Sequence, residues 1–181
     1  MEVMIDLETA STRGDAAILV LAAIKFRRWQ NIGEKCPINT PECFYRKIDL
    51  DSCVKIGLRK DQETLDFWEK QPAEIRAEAF DGVREDIKSV LADFSEFYKG
   101  CICIWSNGAT FDIPILAEAY ARLGSRTPWE YYQARDTRTI YDLGKVSSKD
   151  FPKDNPHHAL YDCWRQIVGV QKAFSRLKIV F

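Results

Sequence analysis

Met4-Ile5-Asp6-Leu7-Glu8-Thr9 closes an apolar run that begins at Met1, and it carries two carboxylates two residues apart. A strand turns alternate side chains to opposite faces, so Asp6 and Glu8 would share one face and repel each other unless a cation sits between them. A divalent metal ion is the natural candidate. An isolated D-x-E is more often a polar strand edge running into a turn, so the pair acquires meaning only if further ligands lie elsewhere in the chain.

Working outward, Thr9 to Asp15 is rich in small and turn-forming residues, and Ala16 to Ile24 is apolar. The pattern reads as strand, turn, strand, with Arg27 and Arg28 at the solvent end of the second strand. Asn31 to Pro41 reads as a loop, and Cys43 to Ile48 as a third strand joined to the others in an antiparallel meander. Thr64 is expected to cap a short helix that stops at Pro72. The spacing of Val83, Ile87, Val90, Leu91, Phe94 and Phe97 predicts one helix from Ala79 to Tyr98, ended by Gly100.

Cys101 to Trp105 is a continuous apolar run, as in a strand buried on both faces. Ser106 to Ala109 then turns the chain into a helix ending near Leu123-Gly124. Pro114 is tolerated only near a helix start, which puts Asp112 in or just before the first turn. Ala134 to Ile140 is expected to be a final strand and Gly144 to Pro156 a lysine-bearing loop. His158 to Leu177 has the repeat of an amphipathic terminal helix.

The 181 residues are expected to form a single domain, residues 1–181. A hydrophobic fraction of 46% beside 29% charged residues excludes wholesale disorder, and a net charge of -1 argues against coating nucleic acid through bulk charge. No apolar run is long enough to span a bilayer and no leader pattern is recognised, so the expectation is a cytoplasmic protein without membrane association. Six cysteines without a C-x-x-C pair, beside only two histidines, argue for free thiols and against a zinc or redox centre.

The missing ligands come late in the chain. Asp112 follows a central strand, at the sheet edge where open α/β folds place their sites. His157-His158-Ala159-Leu160-Tyr161-Asp162 then offers an aspartate at the start of the last helix, with a histidine five residues before it. D-x-E on the first strand, N-x-x-x-F-D from Asn107 to Asp112, and H-x-x-x-x-D from His157 to Asp162 together resemble the histidine branch of the DEDD 3′-to-5′ exonucleases. That family includes bacterial polymerase proofreading subunits, ribonuclease T and oligoribonuclease. The tyrosine branch would carry a tyrosine where this chain has His158. Leu7 to Thr12 followed by Asp15 to Ile18 looks most like a phage and bacterial subset. The motifs run in family order from Ile5 to Gln166.

The resemblance implies an α/β, ribonuclease H-like mixed sheet of about five strands flanked by helices. It implies metal-dependent hydrolysis at the 3′ ends of DNA or RNA, releasing nucleoside 5′-monophosphates, with two Mg²⁺ or Mn²⁺ ions held by Asp6, Glu8, Asp112 and Asp162. Carboxylate oxygens are the hard ligands those ions prefer, and two ions activate water and neutralise charge on the departing oxygen. By the same resemblance His157 is the general base, and Thr9, Asn107 and Phe111 are candidate substrate contacts. Several relatives form dimers, which extends a homodimer to this chain as an expectation. The alternative is a module on the same fold that binds nucleic-acid ends without cleaving them.

Overall fold

The computed structural model describes residues 1–108, 110–152 and 158–179. Its first three strands, β1 (Glu2–Thr9), β2 (Ile18–Phe26) and β3 (Cys43–Lys47), form the expected antiparallel meander. Four helices follow: α1 (Leu50–Lys55), α2 (Gln62–Glu69), α3 (Ala73–Phe80) and α4 (Ile87–Tyr98). The chain then runs through β4 (Ile104–Ser106), α5 (Asp112–Arg122), β5 (Ala134–Asp136), α6 (Thr137–Leu143) and α7 (Ala159–Arg176). The sheet order is β3-β2-β1-β4-β5, with β4 parallel to both β1 and β5. This is the α/β architecture expected, a five-stranded mixed sheet flanked by helices and consistent with a ribonuclease H-like fold.

Register decides what each face meets. Ile5 lies opposite Ala23, which lies opposite Phe44, and Phe44 packs edge-on against Phe94 of α4. Asp6 lies opposite Ala22, which lies opposite Tyr45, and Tyr45 stacks on His158 at the start of α7. One face of the sheet is therefore closed by α4, and the other, carrying Asp6 and Glu8, by α7. The amphipathic stripe of α7 lays Cys163, Ile167 and Val170 over β1 and β2, all fully buried.

Several boundaries differ from the sequence reading. The stretch from Ala79 to Tyr98 is two helices, because Asp81 and Gly82 (φ +92°) break the chain, and Val83 is 90% exposed rather than core. The real start of α4 is capped by Asp86, whose side chain accepts from the Lys88 N–H. Thr64 lies inside α2, which begins after Asp61 and ends at Glu69, while Pro72 opens α3. The expected strand from Ala134 to Ile140 stops at Asp136. That residue caps α6 by accepting from the Arg138 N–H and the Thr139 hydroxyl, so 137–140 is helical. In the apolar run ending at Trp105, Ile102 is exposed.

Arg28 is not at the solvent end of β2. It folds back over β1 and donates two bonds to the Glu2 carboxylate, each 2.6 Å, while the Trp105 indole donates a third at 2.6 Å. Its guanidinium also lies over the Trp105 and Phe174 rings. All six cysteines are free, as expected. Among the described residues no helix is long and apolar enough to cross a membrane.

Candidate active site

β1 pairs with β2 along its whole length, but β4 covers only Val3 and Met4 on its other side. Beyond that point the edge of β1 is open, because the chain leaves β4 at Ser106 and turns into α5. Asp112, the first residue of α5, fills the gap: its carboxylate accepts a hydrogen bond from the Leu7 N–H at 3.2 Å. A buried strand amide is thereby satisfied by a side chain, and the same bond brings Asp112 beside the D-x-E pair.

Asp162 arrives from α7, one turn into the helix. Ligand atoms of Asp6, Glu8 and Asp162 lie within 4.8 Å of one another. Asp112 is outside that triplet, yet its charge is felt at both Asp6 and Glu8. His157 lies outside the described residues. The structure thus gathers the four expected carboxylates at one place, three in mutual reach and one alongside.

The electrostatics of the cluster are those of unbalanced negative charge. Burial, then the charges of Asp112, Asp162 and Glu8, push the Asp6 carboxyl well above the ordinary carboxylate range, while a bond from Gln166 works the other way. Burial and the charges of Asp162, Asp112 and Glu78 push Glu8 up to about 8. Burial alone takes Asp112 to about 7 against its bonds to Leu7 and its own N–H and the pull of Arg138. An all-oxygen set of acids that resists ionisation without a counter-charge fits a hard divalent cation such as Mg²⁺ or Mn²⁺.

Some supporting residues carry no motif. Gln166 donates from its amide nitrogen to Asp6 at 2.8 Å, fixing the rotamer of that carboxylate. Its position four residues after Asp162, on the same face of α7, is the only sequence signal that could have found it. Arg165 donates to Asp162 and partly neutralises it. His158, at the N-cap of α7, lies against the Tyr45 ring and edge-on to Tyr161, with Nε2 3.7 Å from Glu78.

A cleft of about 710 Å³ opens beside Glu8, walled by Thr9, Arg13, Phe67 and Phe111. Phe67 is 51% exposed, whereas its neighbour Trp68 is buried and donates to the Thr9 carbonyl at 2.9 Å. The Thr9 hydroxyl is spent on the Ser11 carbonyl at 2.7 Å. Asn107 does not line this cleft; its amide oxygen accepts from the Thr137 hydroxyl at 2.9 Å and ties β4 to α6.

No curated protein matches the chain. Residues 1–174, nearly the whole length, match the model of the 3′-5′ exoribonuclease Rv2179c-like domain. The carboxylate cluster at the open edge of β1 therefore sits in a chain that belongs to the Rv2179c-like family of 3′-5′ exoribonuclease domains.

Proposed function

We propose that the protein is a metal-dependent exonuclease of the histidine branch, removing nucleoside 5′-monophosphates from the 3′ end of a single strand, with RNA favoured by the family's description. The observation that carries this reading is the triplet Asp6, Glu8 and Asp162, of which Glu8 also lines a nucleotide-sized cleft. Asp6, Glu8 and Asp162 would hold one divalent ion, and Asp6 with Asp112 a second. Such ions supply hydroxide near neutral pH and neutralise charge on the departing oxygen.

The chain's own residues do the rest. Gln166 keeps Asp6 aimed into the cluster. Phe67 and Phe111 offer aromatic walls for the terminal base, and Trp68 holds the β1 end rigid by its bond to Thr9. His157, by its spacing to Asp162, takes the proton from the attacking water, a task suited to an ordinary imidazole pKa of about 6.5.

The test is a 5′-labelled oligonucleotide incubated with Mg²⁺ or Mn²⁺. A ladder that shortens from the 3′ end, abolished by chelator, is expected, with RNA consumed faster than matched DNA. Tight binding of the strand without shortening would favour the end-binding module instead.

The raised carboxyls predict a second result. Between the ordinary carboxylate range near pH 4 and the raised values of about 7 and 8, the folded chain keeps protons that the unfolded chain has released. The stability these groups contribute is present at the low end of that window and is lost as pH rises through it. Cation binding requires the ionised forms and so tightens over the same range. The melting midpoint of chelated protein should fall between pH 6 and pH 8.5, and excess Mg²⁺ should raise it most at pH 8.5. A midpoint indifferent to Mg²⁺ at every pH would count against the cluster as a cation site.

A further inference from the structure

Asp112 divides two clefts. Phe111, before it, lines the cleft beside Glu8; Ile113 and Pro114, after it, line another of about 390 Å³ whose opposite wall carries Trp129, Tyr131 and Arg135. The second cleft runs along β5, the outer strand of the sheet, and nothing in the proposed chemistry of the first uses it.

Its chemistry is specific. Tyr131 is 89% exposed, a large ring left in solvent at the cleft wall. Arg138, on α6 and exposed, follows two residues after Asp136 of the cleft lining, whose side chain accepts from its N–H. Its guanidinium lies over Gly108, 3.5 Å from where a Cβ would be, and Gly108 (φ +130°) leaves that space open. The charge of Arg138 reaches Asp112 and pulls its carboxyl down against burial. Among the described residues no carboxylate or carbonyl pairs with this guanidinium; only the backbone N–H of Arg138 is engaged, by Asp136. With a net charge of -1, the protein has no bulk charge with which to hold a polyanion, so local cations must do so.

We propose that Arg138 and the Tyr131 cleft form the upstream subsite for single-stranded nucleic acid: Arg138 binds the backbone phosphate on the 5′ side of the scissile one, and Tyr131 stacks on a base behind it. This rests on the exonuclease reading. A guanidinium suits a phosphate because its planar fork donates two parallel bonds, and an exposed ring accepts any base. Arg138 is a positioning residue here, acting on the strand rather than on the reacting atoms.

The experiment compares a dinucleotide, whose single phosphate is the scissile one, with a decanucleotide. For Arg138→Ala, kcat/KM should fall about tenfold more on the decanucleotide than on the dinucleotide, the excess appearing in KM. The slope of log(kcat/KM) against log[salt] should flatten by about 0.7, one single-strand phosphate contact. Arg138→Lys should recover part of the loss, and Tyr131→Ala should cost at least about fivefold on the decanucleotide alone. Equal losses on both substrates, or none on either, overturn the assignment. If the wild-type protein cleaves neither substrate, the exonuclease reading fails; decanucleotide binding to Asp6→Asn protein, with and without Arg138→Ala, then still decides the upstream contact.

Discussion

Replacing Asp6 by asparagine should lower the rate of 3′-end shortening on the order of a thousandfold, the scale of losing a principal charge-stabilising group, while raising the melting midpoint of metal-free protein. The two effects have one cause. Asp6 stands where burial and three neighbouring carboxylates oppose its ionisation, and asparagine keeps an oxygen to accept the Gln166 bond without the charge. Removing that repulsion should shift the midpoint by about 2–4 °C per kcal/mol relieved in a chain of this size. The rise should be larger at pH 8.5 than at pH 6, because more of the cluster is ionised there. A variant that loses activity and stability together would mean that Asp6 serves the fold, and a variant that keeps activity would remove it from the site.

The largest effect on stability is expected at the opposite end of β1. Glu2 and Arg28 are bonded through two 2.6 Å contacts with side chains 6% and 19% exposed, and Trp105 donates to the same carboxylate. Glu2→Ala leaves a guanidinium stranded among Trp105 and Phe174 and an indole N–H without an acceptor. The expected cost is about 3–5 kcal/mol, read from the urea midpoint. Glu2→Gln combined with Arg28→Met should cost less than Glu2→Ala alone, since it removes the buried charge and keeps an acceptor for Trp105. Per folded molecule, cleavage should be unaffected, because the pair lies at the far end of the strand from Asp6 and Glu8. A loss below about 1 kcal/mol would class it with exposed ion pairs.

The sequence reading succeeded where a local period or a fixed spacing carried the information. Alternation along β1 put Asp6 and Glu8 on one face, and the repeat of α7 put Asp162 in the first turns of the last helix. It failed where one residue switches the backbone state. The strand expected to run on to Ile140 ends where Asp136 caps a helix. Val83 fitted the helical period of the residues after it, yet Gly82 had already broken the helix. α1, six residues long and capped by Asp49, is too short for any period to reveal.

From the chain alone come the face shared by Asp6 and Glu8, the meander and the order of the acidic motifs, because these follow from the two-residue repeat of strands and the 3.6-residue repeat of helices. Only the tertiary structure decides that β4 stops after covering Val3 and Met4, leaving the Leu7 amide for Asp112 to satisfy. The same holds for Gln166 on Asp6, Arg28 on Glu2 and Arg138 over Gly108. Each joins residues far apart in the chain, and no period within a segment encodes which segments will meet.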